Sequence, residues 1–251
     1  MKVGAQLYTL RTFLQTEADI RRSLKRVADM GYENVQLSGL GPIEPAKIKA
    51  ICDENSLSIV LTHNPAERIL NDTDQLIEEH KLYGCEYIGL GGMPEKYRNP
   101  EWVRYFAEDY QEAARKINRA GMKFMYHNHH FEFEKIDGRT LMEVILEGFD
   151  TELMGVTVDT YWLQAAGCDV LQWLEIMKDR LDCVHLKDMK IIGRDQHFAA
   201  IGEGNMNFPA ILELLEKLGT TKHLLVEQDT VIGSPFAALE ESRKYLSSLN
   251  Y

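Results

Sequence analysis

The sequence predicts an α/β fold, a single (β/α)8 TIM barrel occupying residues 1–251. Three observations carry that expectation. Strand-like and helix-like segments alternate from end to end, eight pairs in 251 residues, about the length such barrels need. The last four strand-like runs each end on a residue able to bind a divalent metal. They are Phe124-Met125-Tyr126-His127, Gly155-Val156-Thr157-Val158-Asp159, Leu181-Asp182-Cys183-Val184-His185 and Leu224-Leu225-Val226-Glu227. No Pro/Ser linker, charge block or low-complexity tract divides the chain. An open doubly wound sheet would fit the alternation, but it supplies no reason for ligand types at the ends of strands five to eight. A closed parallel barrel does, because its strand ends converge on one mouth.

The elements follow in order. Residues 3–8 read as the first strand. Ile20, Leu24, Val27 and Met30 then recur at helical spacing, with Gly31 as C-cap. Asn34–Leu37 is the second strand and residues 45–55 the second helix. Residues 57–61 form the third strand and run into Thr62-His63-Asn64-Pro65, a loop by its proline. Leu76, Ile77 and His80 lie on a helix stopped at Gly84, ahead of the fourth strand, Tyr87–Leu90. In the longest helix Trp102, Phe106, Tyr110, Ala113 and Ile117 step by three or four up to Gly121. Lys123–His127 is the fifth strand, and a short helix over 141–146 leads to the sixth at 155–159. Residues 170–177 are helical, and the seventh strand ends at His185. Phe208, Ile211, Leu212, Leu215 and Leu218 form an apolar stripe stopped by Gly219, with Asn207 as N-cap and Pro209 in the first turn. The eighth strand at 224–227 and a helix over 236–246 complete the count.

Composition narrows the function. The 39 acids against 28 bases leave a formal charge of −11, which argues against a nucleic-acid partner. No apolar stretch approaches the roughly 18–20 residues of a membrane span, so no membrane partner is expected. The N-terminus opens directly into the first strand without the regions of a signal peptide. Cys52, Cys85, Cys168 and Cys183 are scattered with no CxxC pair, as structural thiols of a reduced compartment would be. A cytoplasmic enzyme is the expectation.

Asp159, His185 and Glu227 are the firmest candidate metal ligands. Imidazole and carboxylate hold Mn, Co, Zn or Fe without choosing sharply among them. Alone, each has an ordinary explanation as a helix cap or a core histidine; in register on successive strands the metal reading prevails. In Tyr126-His127-Asn128-His129-His130, His127 and His129 share a face by strand alternation and Asn128 points away. Glu132 and Glu134, just beyond, either reach the mouth or are solvated. Tyr8 and His63 end strands one and three and are candidate substrate contacts. Trp162 is a candidate apolar wall for a sugar ring. Lys187 is placed to bind a hydroxyl or steady an enolate oxygen, although a lysine after a strand is usually solvated. Glu203, in the turn Gly202-Glu203-Gly204, is a candidate from the seventh loop.

The chain resembles the sugar phosphate isomerase/epimerase group, the xylose isomerase-like barrels that include tagatose epimerases, hydroxypyruvate isomerases and inosose dehydratases. VGAQLYTLR, YHNHHFEF, VDTYW, HLKD at 185–188, IGEGNMNFPAIL at 201–212 and LLVEQD at 224–229 carry the resemblance, over essentially the whole chain. It implies one divalent metal, often manganese, held from the last four strands; Asp159, His185 and Glu227 match that pattern. Many members carry a Glu at the end of strand five, followed by Asn and His; here His127 takes that position. In the group's isomerases and epimerases the strand-five and strand-eight glutamates face the substrate from opposite sides. This chain keeps Glu227 and lacks the first.

These observations lead to a metal-dependent isomerase or epimerase that removes a proton beside a carbonyl of a sugar or keto-sugar and passes through an enediolate. Glu227 is expected as ligand and base, His129 or His127 opposite it, and Lys187 on the oxygen. A lyase on a keto-sugar, by inosose dehydration or 3-keto-glycoside cleavage, is the alternative, and the missing strand-five Glu strengthens it. A barrel that binds sugar or metal without turnover is a further alternative. Endonuclease IV-like repair shares this fold but sits poorly with the acidic charge. The family resemblance also makes a homo-oligomer plausible.

Overall fold

The computed structural model describes residues 1–251. Eight parallel strands close into a barrel: β1 (Lys2–Gln6), β2 (Asn34–Leu37), β3 (Ser58–Asn64), β4 (Tyr87–Leu90), β5 (Lys123–His127), β6 (Met154–Asp159), β7 (Cys183–Leu186) and β8 (His223–Val226). They are hydrogen-bonded in sequence order, and β8 pairs with β1 to complete the ring. Helices return the chain outside it: α1 (Glu17–Asp29), α2 (Pro45–Glu54), α3 (Ala66–Asn71), α4 (Thr73–Tyr83), α5 (Val103–Arg119), α6 (Leu141–Glu147), α7 (Thr160–Ala165), α8 (Val170–Ile176), α9 (Phe208–Leu218) and α10 (Pro235–Ser248). Their apolar stripes pack on the outer faces of the strands in one continuous core. A second, small cluster of Val60, Leu61, Tyr87, Met125, Cys183 and Leu225 plugs the barrel interior. Leu61, Met125, Cys183 and Leu225 lie two residues before His63, His127, His185 and Glu227. Period-two alternation therefore points those four polar side chains inward, one layer above an apolar floor.

The structure moves some boundaries. The first strand ends at Gln6, not at Tyr8, because the Gln6 side chain accepts the Tyr8 N–H at 2.8 Å and turns the chain into a 3₁₀ segment, Leu7–Phe13. The third strand runs on to Asn64, since a residue ahead of proline is held extended; only Pro65 leaves the sheet. Trp102 precedes α5 and is exposed, outside the buried stripe of that helix. Two hairpins that periodicity did not reveal, Lys135–Ile136 with Arg139–Thr140 and Asp188–Ile192 with Asp195–Ala199, follow β5 and β7.

Candidate active site

Register brings the strand-end residues together. His185 on β7 pairs directly with Asp159 on β6, while His127 pairs with Thr157, two residues short of Asp159. Leu225 pairs with His185, which puts Glu227 two residues further up the same face. One ligand atom from each of His127, Asp159, His185 and Glu227 lies within 4.8 Å of the others, and all four residues are buried.

Each imidazole is oriented from outside the cluster. His127 Nδ1 is 3.1 Å from the Gly91 carbonyl, which can only accept, so that nitrogen carries the proton and Nε2 is turned to Asp159 Oδ2, also at 3.1 Å. His185 Nε2 lies 2.7 Å from Gln36 Oε1, and its Nδ1 faces Glu227 Oε2 at 2.9 Å. Imidazole nitrogens thus face carboxylate oxygens, an arrangement that calls for a cation or a proton between them. Burial lowers the His185 pKa, but Glu227 and Asp159 outweigh it and raise it. His185 Nδ1 and Glu227 Oε2 make no hydrogen bond although both are buried. Imidazoles whose outer N–H is anchored to a carbonyl oxygen, with two carboxylates beside them, are a fitting donor set for a divalent ion. Asp159 is further positioned by its N–H, given to Asn128 Oδ1 at 2.9 Å, and by Oδ1, which accepts the Trp162 N–H and caps α7.

A cation is already present: Lys187. It is buried, in contrast to the solvated lysine that its place after a strand suggests. Its Nζ lies 2.9 Å from Asp159 Oδ2 and 2.9 Å from Glu227 Oε2. Burial by itself would raise both carboxyls, but the Lys187 ammonium and the neighbouring imidazoles hold Asp159 and Glu227 well below the usual carboxylate range. The three carboxylates around Lys187 outweigh its burial and keep it protonated.

Above the cluster is a cavity of about 350 Å³ lined by Gln6, Tyr8, His63, His127, His129 and Glu227, among others, of small-molecule size. His129 leaves the strand face, since β5 ends at His127, yet its ring stays 4.8 Å from that of His127. Burial pushes its pKa down to about 3, so it is neutral near pH 7. His63 is likewise held neutral, first by burial and then by His127 and His185, and its Nε2 has no partner. Tyr8 lines the cavity with Arg11 stacked on its ring at 4.2 Å. Trp162 does not line it; its ring stacks on His130 at 5.0 Å and stands 5.6 Å from His129. Glu203 is exposed, because Asp188 fills the inside of its turn by accepting the N–H groups of Gly202, Gly204 and Met206.

Several contributors were not anticipated. Gln6 Nε2 donates to Glu227 Oε1 at 3.1 Å, and Gln36, Asn128 and Asp229 hold His185, Asp159 and Lys187. Gln6 and Gln36 had a signal, since each is an amide near the C-terminal end of a buried strand. Glu132 neither reaches the mouth nor is solvated: it is buried beneath the loop, and Glu134 is exposed.

A family model for the xylose isomerase-like TIM barrel matches residues 24–249. The inosose dehydratase of Geobacillus kaustophilus (strain HTA426) is 23% identical, covering 90% of this chain and 86% of that protein. Among solved structures, a sugar phosphate isomerase/epimerase from Parabacteroides distasonis ATCC 8503 superposes with a TM-score of 0.82 at 24% identity, covering 98% of this chain and 93% of that one. The D-allulose 3-epimerase of a Methylomonas species gives 0.74 at 13% identity, over 99% and 97%. At such identities the structural likeness speaks for the fold. No helix is long and apolar enough to cross a membrane.

Proposed function

The chain belongs to the xylose isomerase-like TIM barrel family, and from that premise we propose that it is a divalent-metal-dependent lyase that eliminates water from a keto-sugar or keto-cyclitol. The observation that carries this reading is the buried His127–Asp159–His185–Glu227 cluster, with imidazole nitrogens turned to carboxylate oxygens at the floor of a small polar cavity. Those four residues would hold the ion, which would supply Lewis acidity toward the substrate's carbonyl. Manganese is the first candidate, with zinc, cobalt and iron fitting the same donors.

The residues divide the remaining work. Glu227 Oε1 accepts from Gln6, and Oε2 lies 2.9 Å from both Lys187 Nζ and His185 Nδ1, a crowded setting that fits a ligand better than a free base. His129 lines the cavity and is the group assigned to take the proton from the carbon beside the carbonyl. Burial, which lowers its pKa to about 3, makes it a weak base, so the transfer would depend on the acidity that a bound ion confers on that carbon. Lys187, buried beneath the cavity and not lining it, holds Asp159 and Glu227 in place. The electron pair of the broken C–H bond then forms a C=C bond to the next carbon, the C–O bond there breaks with its pair on oxygen, and the hydroxyl departs as water with the proton that His129 removed. Tyr8 and His63 line the cavity where substrate hydroxyls would sit.

The sequence places isomerisation or epimerisation first; two observations favour elimination. The strand-five position holds a histidine turned toward Asp159, leaving Glu227 as the acid lining the cavity. A dehydratase is also related over most of the chain. Epimerisation remains the second reading, supported by His129 and His63 as two imidazoles that both line the cavity. The test is incubation of Mn²⁺-loaded protein with an inosose and a panel of keto-sugars in D₂O. Enone absorbance with loss of water supports elimination. Solvent deuterium appearing in substrate or an epimer without enone transfers the assignment to isomerase/epimerase chemistry. Neither signal with any substrate leaves a binding barrel.

A further inference from the structure

Lys187 and a divalent ion are drawn to the same anions. Its Nζ contacts Asp159 Oδ2 and Glu227 Oε2, the oxygens that also face His127 Nε2 and His185 Nδ1. On its third side Nζ meets both oxygens of Asp229, at 3.2 and 3.1 Å. The backbone of Lys187 is pinned: Thr160 Oγ1 accepts its N–H at 3.0 Å and donates to its carbonyl at 2.9 Å. Any rearrangement therefore belongs to the side chain. Trp162 and Phe198 stand 5.8 Å from Nζ and offer only ring faces. Asp229 is thus the charged partner of Lys187 outside the ligand set.

Charge counting separates the two roles. With the imidazoles neutral, as metal ligands must be, three carboxylates against one ammonium leave a net charge of −2, and a divalent ion brings the group to neutrality. Without the ion, Lys187 neutralises part of the repulsion between Asp159 and Glu227 and holds them in position. With it, two cations share two oxygens, and the ammonium needs another anion.

We propose that Lys187 is an internal counter-cation that competes with the metal, and that Asp229 receives the ammonium when the ion enters. The inference rests on the metal reading above. It requires opposite effects from two neighbours: Lys187 weakens metal binding and Asp229 strengthens it.

The experiment is calorimetric titration of EDTA-stripped protein with Mn²⁺, with thermal unfolding of the same samples, for wild type, Lys187→Met and Asp229→Asn. Lys187→Met is expected to melt lower without metal, to gain more from Mn²⁺ than wild type does, and to bind it at least about tenfold more tightly. Asp229→Asn is expected to bind about tenfold more weakly; both effects fall in the range of outer-shell partners. A Lys187→Met protein that binds no more tightly than wild type, or an Asp229→Asn protein that binds no more weakly, overturns the proposal. Should Lys187→Met fold only with Mn²⁺, Asp229→Asn decides, and an unchanged Kd overturns it. If no variant and no wild type binds Mn²⁺, Zn²⁺, Co²⁺ or Fe²⁺, the metal reading falls too; equal, measurable affinities sink this inference alone.

Discussion

Glu132 is buried with no charged partner in contact: it accepts the Tyr126 hydroxyl at 2.6 Å and the His129 N–H at 2.9 Å. Burial pushes its pKa up to about 7, against the hydrogen bonds that pull it down. An acid raised in the folded state contributes stability that is fully present below its unfolded pKa, near 4.5, and lost as pH rises through about 7. Wild type should therefore lose up to about 3 kcal/mol across that window relative to Glu132→Gln. Urea midpoints of both proteins at pH 5 and pH 8 test it, and parallel curves would reject it. None of this was legible in the sequence, where Glu132 looked like a mouth residue or a solvated one. Whether a carboxyl is buried depends on the loop that folds over it.

At the scale of elements, strand ends were more legible than loops. His127, Asp159, His185 and Glu227 each close an apolar run, and alternation makes their inward direction readable without coordinates. Trp162 lies in the short helix α7 and Glu203 in a turn, where strand alternation sets no direction; one came to rest beside the cavity wall and the other outside. His80 was readable as a helical position but not as a tie between elements. Its Nε2 lies 2.7 Å from Thr62 Oγ1 on β3 and its Nδ1 2.7 Å from the Leu76 carbonyl on α4. Burial lowers its pKa to about 4. A histidine depressed in this way contributes stability that is present above about pH 6.5 and lost as pH falls toward 4. Wild type is expected to lose about 2 kcal/mol between pH 7 and pH 5 relative to His80→Gln, measured by urea unfolding; identical pH slopes would remove His80 from the account.

For the whole molecule, barrel closure requires small residues among the large ones inside. A Cβ on Gly89 would lie 2.3 Å from the Thr62 carbonyl oxygen, a backbone atom of the neighbouring strand. On Gly155 it would meet the thioether sulfur of Met125 at 2.6 Å, the flexible part of a side chain. Gly89→Ala should thus cost at least the ~1–3 kcal/mol of overpacking, and Gly155→Ala distinctly less, because Met125 can re-rotamer. Chemical denaturation followed by tryptophan fluorescence measures both; equal losses would show that the interior yields as a whole.

By itself the sequence determined the alternation of eight strands and helices, and with it a parallel barrel whose mouth gathers the ends of β5 to β8. Those properties follow from local periodicity, which residues impose on their own neighbours. Only the tertiary structure decided that Lys187 is buried among three carboxylates, that Gln6 and Gln36 orient Glu227 and His185, and that Glu203 stays outside. Each depends on partners tens to hundreds of residues away, brought within hydrogen-bond reach by the register of a closed sheet, and no local pattern encodes that distance.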